Sequence, residues 1–303
     1  MTPSQGPRDR ARHDSGFVDI GGARQWVTLS GEGPPLLVLS GAGVAFSRMP
    51  ALFAPWEAAF TVVQWDQPGA GATGPMALSL DRLVADGVAV AEAVRARLGG
   101  SKVAVLGVSG GSVVGLRMAA AAPDLISVYA GTGQFVDWAA QGQLSYAKVL
   151  AAARTRGDAA ATAELEALGP PPHADAAADA VRSKYAGALT PAEAAAVADP
   201  ALFAPPEGSA PLDQRALASA AYAALRDELM AFDARALGPI VPPVVFLQGT
   251  LDAYSVSSEV EAYAREIGAV YAPIEGGGHS AMFMARRMLD LLVAHVRPLA
   301  AAS

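Results

Sequence analysis

The chain has 303 residues, of which 52% are hydrophobic and 17% charged, and a net charge of −7. That length holds one large α/β domain or two ordinary ones, and the composition suits a sizeable core rather than disorder. The acidic balance argues against nucleic acid or an anionic membrane as main partner, and the absence of cysteine excludes disulfides, thiolate metal sites and a cysteine nucleophile.

The first residues, "MTPSQGPRDRARHD", are polar and lack an apolar signal core. Residues 1–16 read as a flexible tail rather than a secretory leader. No window holds the roughly eighteen continuous apolar residues of a membrane span, so the expected compartment is the cytoplasm. "GFVDI" and "RQWVTL", joined by "GGA", read as a hairpin. "PLLVLSG" and "TVVQWD" are continuous apolar runs, the mark of strands buried on both faces. Between them "AFSRMPALFAPWEAAF" suits a helix that Pro50 and Pro55 shorten or kink. "SLDRLVADGVAVAEAVRARLG" is amphipathic at helical spacing and stops at Gly99. "KVAVLGV", "GSVVGLRMAAAA" and "ISVYAGTG" then read strand, helix, strand. The alternation predicts an α/β fold: a mostly parallel sheet with helices on both faces.

From about Asp137 to about Leu237 the chain shows helices and no strand. "LTPAEAAAVAD" opens with a capping box, Thr190 with Glu193, and has Pro191 in the first turn. Much of this stretch is alanine-rich, which favours helix but packs little side-chain volume. The division expected is a first core part at 17–136, a helical insertion at 137–236 and a second core part at 237–303. The second part reads strand ("PPVVFLQG"), helix ("SSEVEAYAREIG"), strand ("AVYAPIEG") and a last helix ("MFMARRMLDLLVAHV").

Gly107-Val108-Ser109-Gly110-Gly111 places a serine where a buried strand turns sharply into a helix. This is the G-x-S-x-G nucleophile elbow, and helix-start N–H groups beside it could hold an oxyanion. The plainer reading is a serine N-cap among packing glycines. A serine nucleophile needs a base. Of the four histidines, His13 lies in the tail, His173 follows a proline run in the insertion, and His295 lies inside the last helix. His279, in "EGGGHSAMF", follows the last predicted strand and the serine, as the order Ser…Asp/Glu…His requires. Asp252, in "VVFLQGTLDAYS", is the expected acid, which would hold the imidazole in one tautomer. Its rival is Asp137 in "GTGQFVDW".

These motifs together resemble the α/β-hydrolase superfamily and, within it, its proline iminopeptidase-like branch of serine hydrolases. The resemblance rests on "GGARQWVTLSGEGPPLLVLSGAG", "VVQWDQPGAGAT", "GVSGGS", "LQGTLD" and "GGGHSAMF". It implies the α/β-hydrolase fold with an N-terminal hairpin and an inserted helical cap. It also implies a catalytic triad of Ser109, Asp252 and His279, with an oxyanion hole from the N–H groups of Gly110 and of Gly41 or Ala42. The branch's H-G-G-P-G loop here reads Ser40-Gly41-Ala42-Gly43-Val44, its post-nucleophile tryptophan is Gly110, and the arginine of its D-Q-R-G is Pro68. Its tryptophan-containing amine-binding motif is missing, since Trp138 is the only tryptophan near the insertion.

A competing pattern is "LSGAGVAF" with Asp66 at the end of the next strand, which mimics a dinucleotide fingerprint. Phe46 at its third glycine position is too bulky for close helix–sheet packing, so Asp66 is expected to anchor the turn "DQPGAGAT". No H-E-x-x-H and no G-x-x-x-x-G-K occurs, so neither metal nor other cofactor is expected. The reading is a serine hydrolase of a small or medium acyl ester, acting through an acyl-enzyme. A peptide with a small N-terminal residue, an amide or a carbon–carbon bond cleaved after ketonisation follow as substrates. An aminopeptidase or amidase and a non-catalytic receptor on the same fold are the other two function classes. The expected partner is a small ester, amide or short peptide.

Overall fold

Each continuous apolar run splits its side chains between two faces, because successive residues of a strand point opposite ways. Leu37, Leu39, Val103, Val105 and Phe246 enter one buried cluster. Their neighbours Leu36, Val38, Ala104, Leu106 and Leu247 enter another. The computed structural model describes residues 13–302. Its strands are β1 (His13–Ile20), β2 (Ala23–Gly31), β3 (Pro35–Leu39), β4 (Thr61–Asp66), β5 (Val103–Val108), β6 (Ile126–Thr132), β7 (Val244–Gly249) and β8 (Val270–Ile274). They form one eight-stranded sheet in the order β1-β2-β4-β3-β5-β6-β7-β8. β1 pairs antiparallel with β2, and β2 antiparallel with β4. The remaining neighbours are parallel.

The hairpin is longer than its apolar residues suggest. His13 already pairs with Ser30, and Gly16 with Val27, so residues 13–16 belong to β1 and not to the expected tail. Backbone N–H and C=O groups make this ladder, so the polar side chains of "HDSG" gave no sign of it. The rest of that tail lies outside the described residues.

Between β3 and β4 the prolines leave only α1 (Pro50–Phe53) between short 3₁₀ turns. α2 (Leu80–Arg97) starts at Ser79, whose side chain accepts from the Arg82 N–H, and α3 (Gly110–Ala121) follows β5. Between β6 and β7 come α4 (Trp138–Thr155), α5 (Ala159–Leu168), α6 (Ala176–Ala186), α7 (Pro191–Ala196) and α8 (Gln214–Met230). The Thr190–Glu193 capping box is formed at α7. These helices share a small cluster of their own, built on Val149, Ala153, Ala161 and Leu165. An isolated bridge between Asp137 and Asp233 closes the base of the segment. α9 (Ser257–Ile267) joins β7 to β8.

The last helix differs from the single element expected. α10 (Ala285–Leu291) passes through a π-helical stretch at Leu292–Val296 into α11 (Arg297–Ala301). Pro298 supplies no N–H to the carbonyl one turn earlier, which loosens the ladder there. No helix among the described residues is long and apolar enough to cross a membrane.

The sequential order reverses at β3 and β5, which lie side by side while β4 lies beyond β3. Ligand sites of open α/β sheets form at such a switch, outside the carboxyl ends of the strands. Ser109 follows β5 there, and two glycines decide whether its turn can pack. A Cβ on Gly111 would lie 2.4 Å from the Leu39 carbonyl oxygen and 2.5 Å from that of Ser40. A Cβ on Gly110 meets nothing nearer than 3.7 Å. Gly111→Ala is therefore expected to cost about 3 kcal/mol through overpacking against fixed backbone. Gly110→Ala should stay within about 1 kcal/mol of the parent. Urea denaturation of the two variants checks the contrast.

Candidate active site

Ser109 has φ +53° and ψ −124°, a conformation that costs a non-glycine residue energy. Its N–H donates to the Thr132 carbonyl at 3.0 Å, and its carbonyl accepts from the Ser112 N–H at 2.8 Å. The turn is thus held from both sides, and it leaves the side chain at the carboxyl edge of the sheet, half-buried. Ser109 Oγ lies 2.8 Å from His279 Nε2. His279 Nδ1 lies 3.0 Å from Asp252 Oδ2. An ionised carboxylate can only accept, so Nδ1 carries the proton and Nε2 is left to accept from the serine hydroxyl. Three residues far apart in the chain make one unbroken line.

Asp252 is fully buried. Its Oδ1 accepts from the N–H groups of Tyr254 (2.7 Å) and Ser255 (3.0 Å). Its Oδ2 accepts from Ser255 Oγ (2.6 Å) and Gln248 Nε2 (2.9 Å) besides the imidazole. Burial pushes the carboxyl up, but the His279 charge and these donors outweigh it and hold Asp252 below the usual carboxylate value. The next residue but three, Val256, is buried with φ +30°. Among the described residues it and Ser109 are the two non-glycine positions with positive φ, and both lie in loops of this site.

Sequence reasoning missed the parts that hold the line in place. Gln248 also accepts from the Gln134 N–H at 3.1 Å, tying the loop after β6 to the end of β7. Its one available signal was a glutamine inside the apolar run "VVFLQG". Gly133, at φ +55°, backs the imidazole so closely that a Cβ would lie 3.0 Å from His279 Cε1. The Tyr254 ring lies 4.7 Å from the imidazole, centroid to centroid, and Phe135 lies 6.0 Å away. Fully buried Glu193 of α7 reaches the histidine loop. Its Oε1 accepts from the Gly278 N–H at 2.8 Å, and its Oε2 from the Thr190 N–H at 2.9 Å. The helix-capping carboxylate therefore fastens the inserted helices to the residue before His279.

The Gly110 N–H opens α3, where no intrahelical acceptor exists. The Ala42 nitrogen stands 3.7 Å from where a Gly110 Cβ would be, so the loop after β3 faces the elbow. Gln67 Nε2 donates to the Ser40 carbonyl at 3.0 Å and pins that loop. Asp66 anchors the "DQPGAGAT" turn, accepting from Ser47 Oγ (2.6 Å) and the Ala72 N–H (2.8 Å). Burial pushes its carboxyl up.

The model of the alpha/beta hydrolase family matches residues 36–291. The chain belongs to that family. Solved structures agree on the fold. A proline iminopeptidase-related protein from Thermus thermophilus superposes with a TM-score of 0.68 at 21% identity, covering 95% of this chain and 99% of its own. A thermophilic esterase from Thermogutta terrifontis gives 0.63 at 15%, covering 94% and 99%. An alpha/beta fold family hydrolase from Bacillus anthracis str. Sterne gives 0.63 at 16%, covering 94% and 99%. No curated protein matches the chain closely in sequence.

The rival residues of the sequence are placed elsewhere in this family fold. His173 is buried with Nδ1 2.9 Å from Asp179 Oδ1. Asp137 caps α4 by accepting from the Ala140 N–H at 2.8 Å. A cavity of about 260 Å³ is lined by residues of β1, β2, β4, the α1 region and the inserted segment, with no histidine among them. Among the described residues no cluster of His, Asp and Glu could hold a metal ion.

The lowered value of Asp252 sets a pH dependence. A carboxyl held lower in the folded than in the unfolded chain stabilises the fold above its unfolded value, near pH 4, and loses that contribution as the pH falls further. Asp252→Asn should lose about 2 kcal/mol at pH 7, the scale of hydrogen bonds to a charged group. The gap between variant and parent should narrow as the pH falls below about 4. Urea denaturation from pH 3 to pH 7 measures both.

Proposed function

We propose that the protein is a serine hydrolase that cleaves small or medium acyl esters through an acyl-enzyme. The observation that carries this reading is the hydrogen-bonded line from Ser109 Oγ through His279 to Asp252. Ser109 Oγ attacks the acyl carbonyl while His279 Nε2 takes its proton. The oxyanion is held by the N–H groups of Gly110 and of Gly41 or Ala42. His279 then gives the proton to the departing alkoxide as the carbon–oxygen bond breaks. Water, deprotonated by His279, attacks the acyl-enzyme, and the acid leaves with Ser109 restored. Asp252 keeps the imidazole in the tautomer that accepts at Nε2 and stabilises the imidazolium.

The inserted helices act as a cap in this reading. α8 closes over the oxyanion loop: a Cβ on Gly43 would lie 2.5 Å from the Leu217 carbonyl oxygen. Phe135 and Trp138 stack at 3.7 Å between rings, and Leu225 and Leu229 border a small cavity beside Ala42 and Gly110. These are walls for an apolar acyl group.

An ester is favoured over a free-amine peptide because the buried carboxylates of the cap, Asp179 and Glu193, are already engaged. Glu164 pairs with Lys184 (2.8 Å) and Glu166 with Arg154 (2.7 Å). Asp179 pairs with Arg226 (2.6 Å), and Glu228 accepts from the Leu80 N–H (2.8 Å). Asp227 points to solvent beside Arg226. Asp137 and Glu193 serve as helix caps. A buried substrate ammonium needs a carboxylate partner, and neither buried one is spare, while Glu164, Glu166 and Asp227 are exposed.

A fluorophosphonate should add one covalent label, found on Ser109 by peptide mapping, and Ser109→Ala should abolish it while remaining folded. Asp252→Asn should lower turnover of p-nitrophenyl butyrate on the order of 10⁴-fold by losing the productive tautomer. Labelling that persists in Ser109→Ala would overturn the assignment.

Ester and aminopeptidase readings separate on one pair of substrates. An N-acetylated alanyl ester should show kcat/KM equal to or above that of its free-amine form. A loss of about 100-fold on acetylation, some 2.7 kcal/mol of transition-state binding, would show that a carboxylate reads the amine.

A further inference from the structure

Arg182 of α6 is buried, with 4% of its surface exposed. One side of its guanidinium is used: Nη1 donates to Ser145 Oγ of α4 at 2.9 Å. Its carbon lies 4.9 Å above the Tyr254 ring, the same ring that lies 4.7 Å from the His279 imidazole. Tyr254 itself is fixed by Ser183 Oγ, which donates to its hydroxyl at 3.0 Å. A ring face attracts the flat face of a guanidinium but gives its in-plane N–H groups nothing to donate to. Arg182 Nε is buried without an acceptor. Among the described residues no carboxylate lies within ion-pair distance of this side chain.

A buried guanidinium stays charged. Leaving it unpaired is costly, so a buried group of this kind calls for an explanation. The free Nε–Nη2 edge presents two parallel N–H groups, the arrangement that receives both oxygens of a carboxylate. The two buried carboxylates nearby, Asp179 and Asp252, are both engaged by other donors. Lys148, on the same face of α4 as Ser145, donates to the Asp252 carbonyl at 2.8 Å. Arg226, by contrast, is neutralised by Asp179.

We propose that the Nε–Nη2 edge of Arg182 is the carboxylate-binding subsite of this active site, so that the physiological ester carries a free carboxylate beyond its scissile bond. The substrate class is then a half-ester of a dicarboxylic acid, or an ester whose alcohol bears a carboxylate. The proposal rests on the serine hydrolase reading for its reaction, but not for the binding of the anion. The anion lies past the Tyr254 ring, away from the oxyanion hole, so Arg182 sets which ester is bound and not how it is cleaved.

The test compares matched pairs: monomethyl with dimethyl adipate, and 4-acetoxybenzoate with its methyl ester. In the parent at least one anionic member should exceed its neutral partner in kcat/KM by 10-fold or more. Arg182→Gln should lower that anionic value at least 10-fold more than the neutral one, mainly through KM. Arg182→Lys should keep part of the preference. A parent that favours both neutral members, or a variant that loses both members of a pair equally, overturns the proposal. Failure of fluorophosphonate labelling together with neutral-ester hydrolysis would instead overturn the serine reading. A binding arm separates the two. Adipate should raise the melting temperature of Ser109→Ala and leave Ser109→Ala/Arg182→Gln unmoved. Absence of any shift from adipate and from 4-hydroxybenzoate in Ser109→Ala also counts against the subsite. If Arg182→Gln does not fold, the parent's preference and this shift still decide.

Discussion

Everything at this site follows from one crowded turn. The backbone must leave β5 and enter α3 within a single residue, and Ser109 takes a conformation worth about 1–3 kcal/mol of strain to do so. The turn fits only because Gly107 and Gly111 bring no side chains. A Cβ on Gly107 would lie 2.7 Å from Ser112 Cα, and one on Gly111 would strike the carbonyls that end β3. That close approach is what sets the elbow against the Gly41–Ala42 loop. The same geometry that strains Ser109 therefore aims its oxygen at His279 and lays a free helix-start N–H beside it.

The second constraint is a carboxylate without water. Asp252 is fully buried and would be costly there without its donors. The Tyr254 and Ser255 N–H groups, the Ser255 hydroxyl and Gln248 supply them along with the imidazole. Gln248 extends the network to the loop after β6, and Gln141 extends it to the Ser255 carbonyl. A satisfied buried network of this kind is stiff. It lets a histidine in a glycine-rich loop hold one orientation.

The inserted helices contribute in two ways. Glu193 accepts from the Gly278 N–H and so joins the histidine loop to the capping box of α7. The insertion also sorts its charges. Its buried acids, Asp179 and Glu193, are spent on an ion pair and a helix cap, while Arg182 stays buried and unpaired beside Tyr254. An ammonium-bearing substrate would find a cation where it needs an anion.

A mostly parallel sheet with an N-terminal hairpin, and Ser109, Asp252 and His279 as candidates, were legible in the sequence, while the strand order was not. Strand periodicity, a glycine-flanked serine and the chain order of acid and histidine are local or ordinal signals, and they survive without coordinates. The first residues of β1 were illegible because backbone pairing leaves no mark on "HDSG". The π-helical stretch was visible only as Pro298 after an apparently unbroken helical pattern. Tertiary structure alone decided the rest. Gln248, Tyr254, Glu193 and Arg182 are ordinary polar residues of a strand, a loop and two helices when read in line. Their roles come from which donors find acceptors once water is excluded. That is a property of the packed interior, formed by residues far apart in the chain, and no spacing in the sequence encodes it.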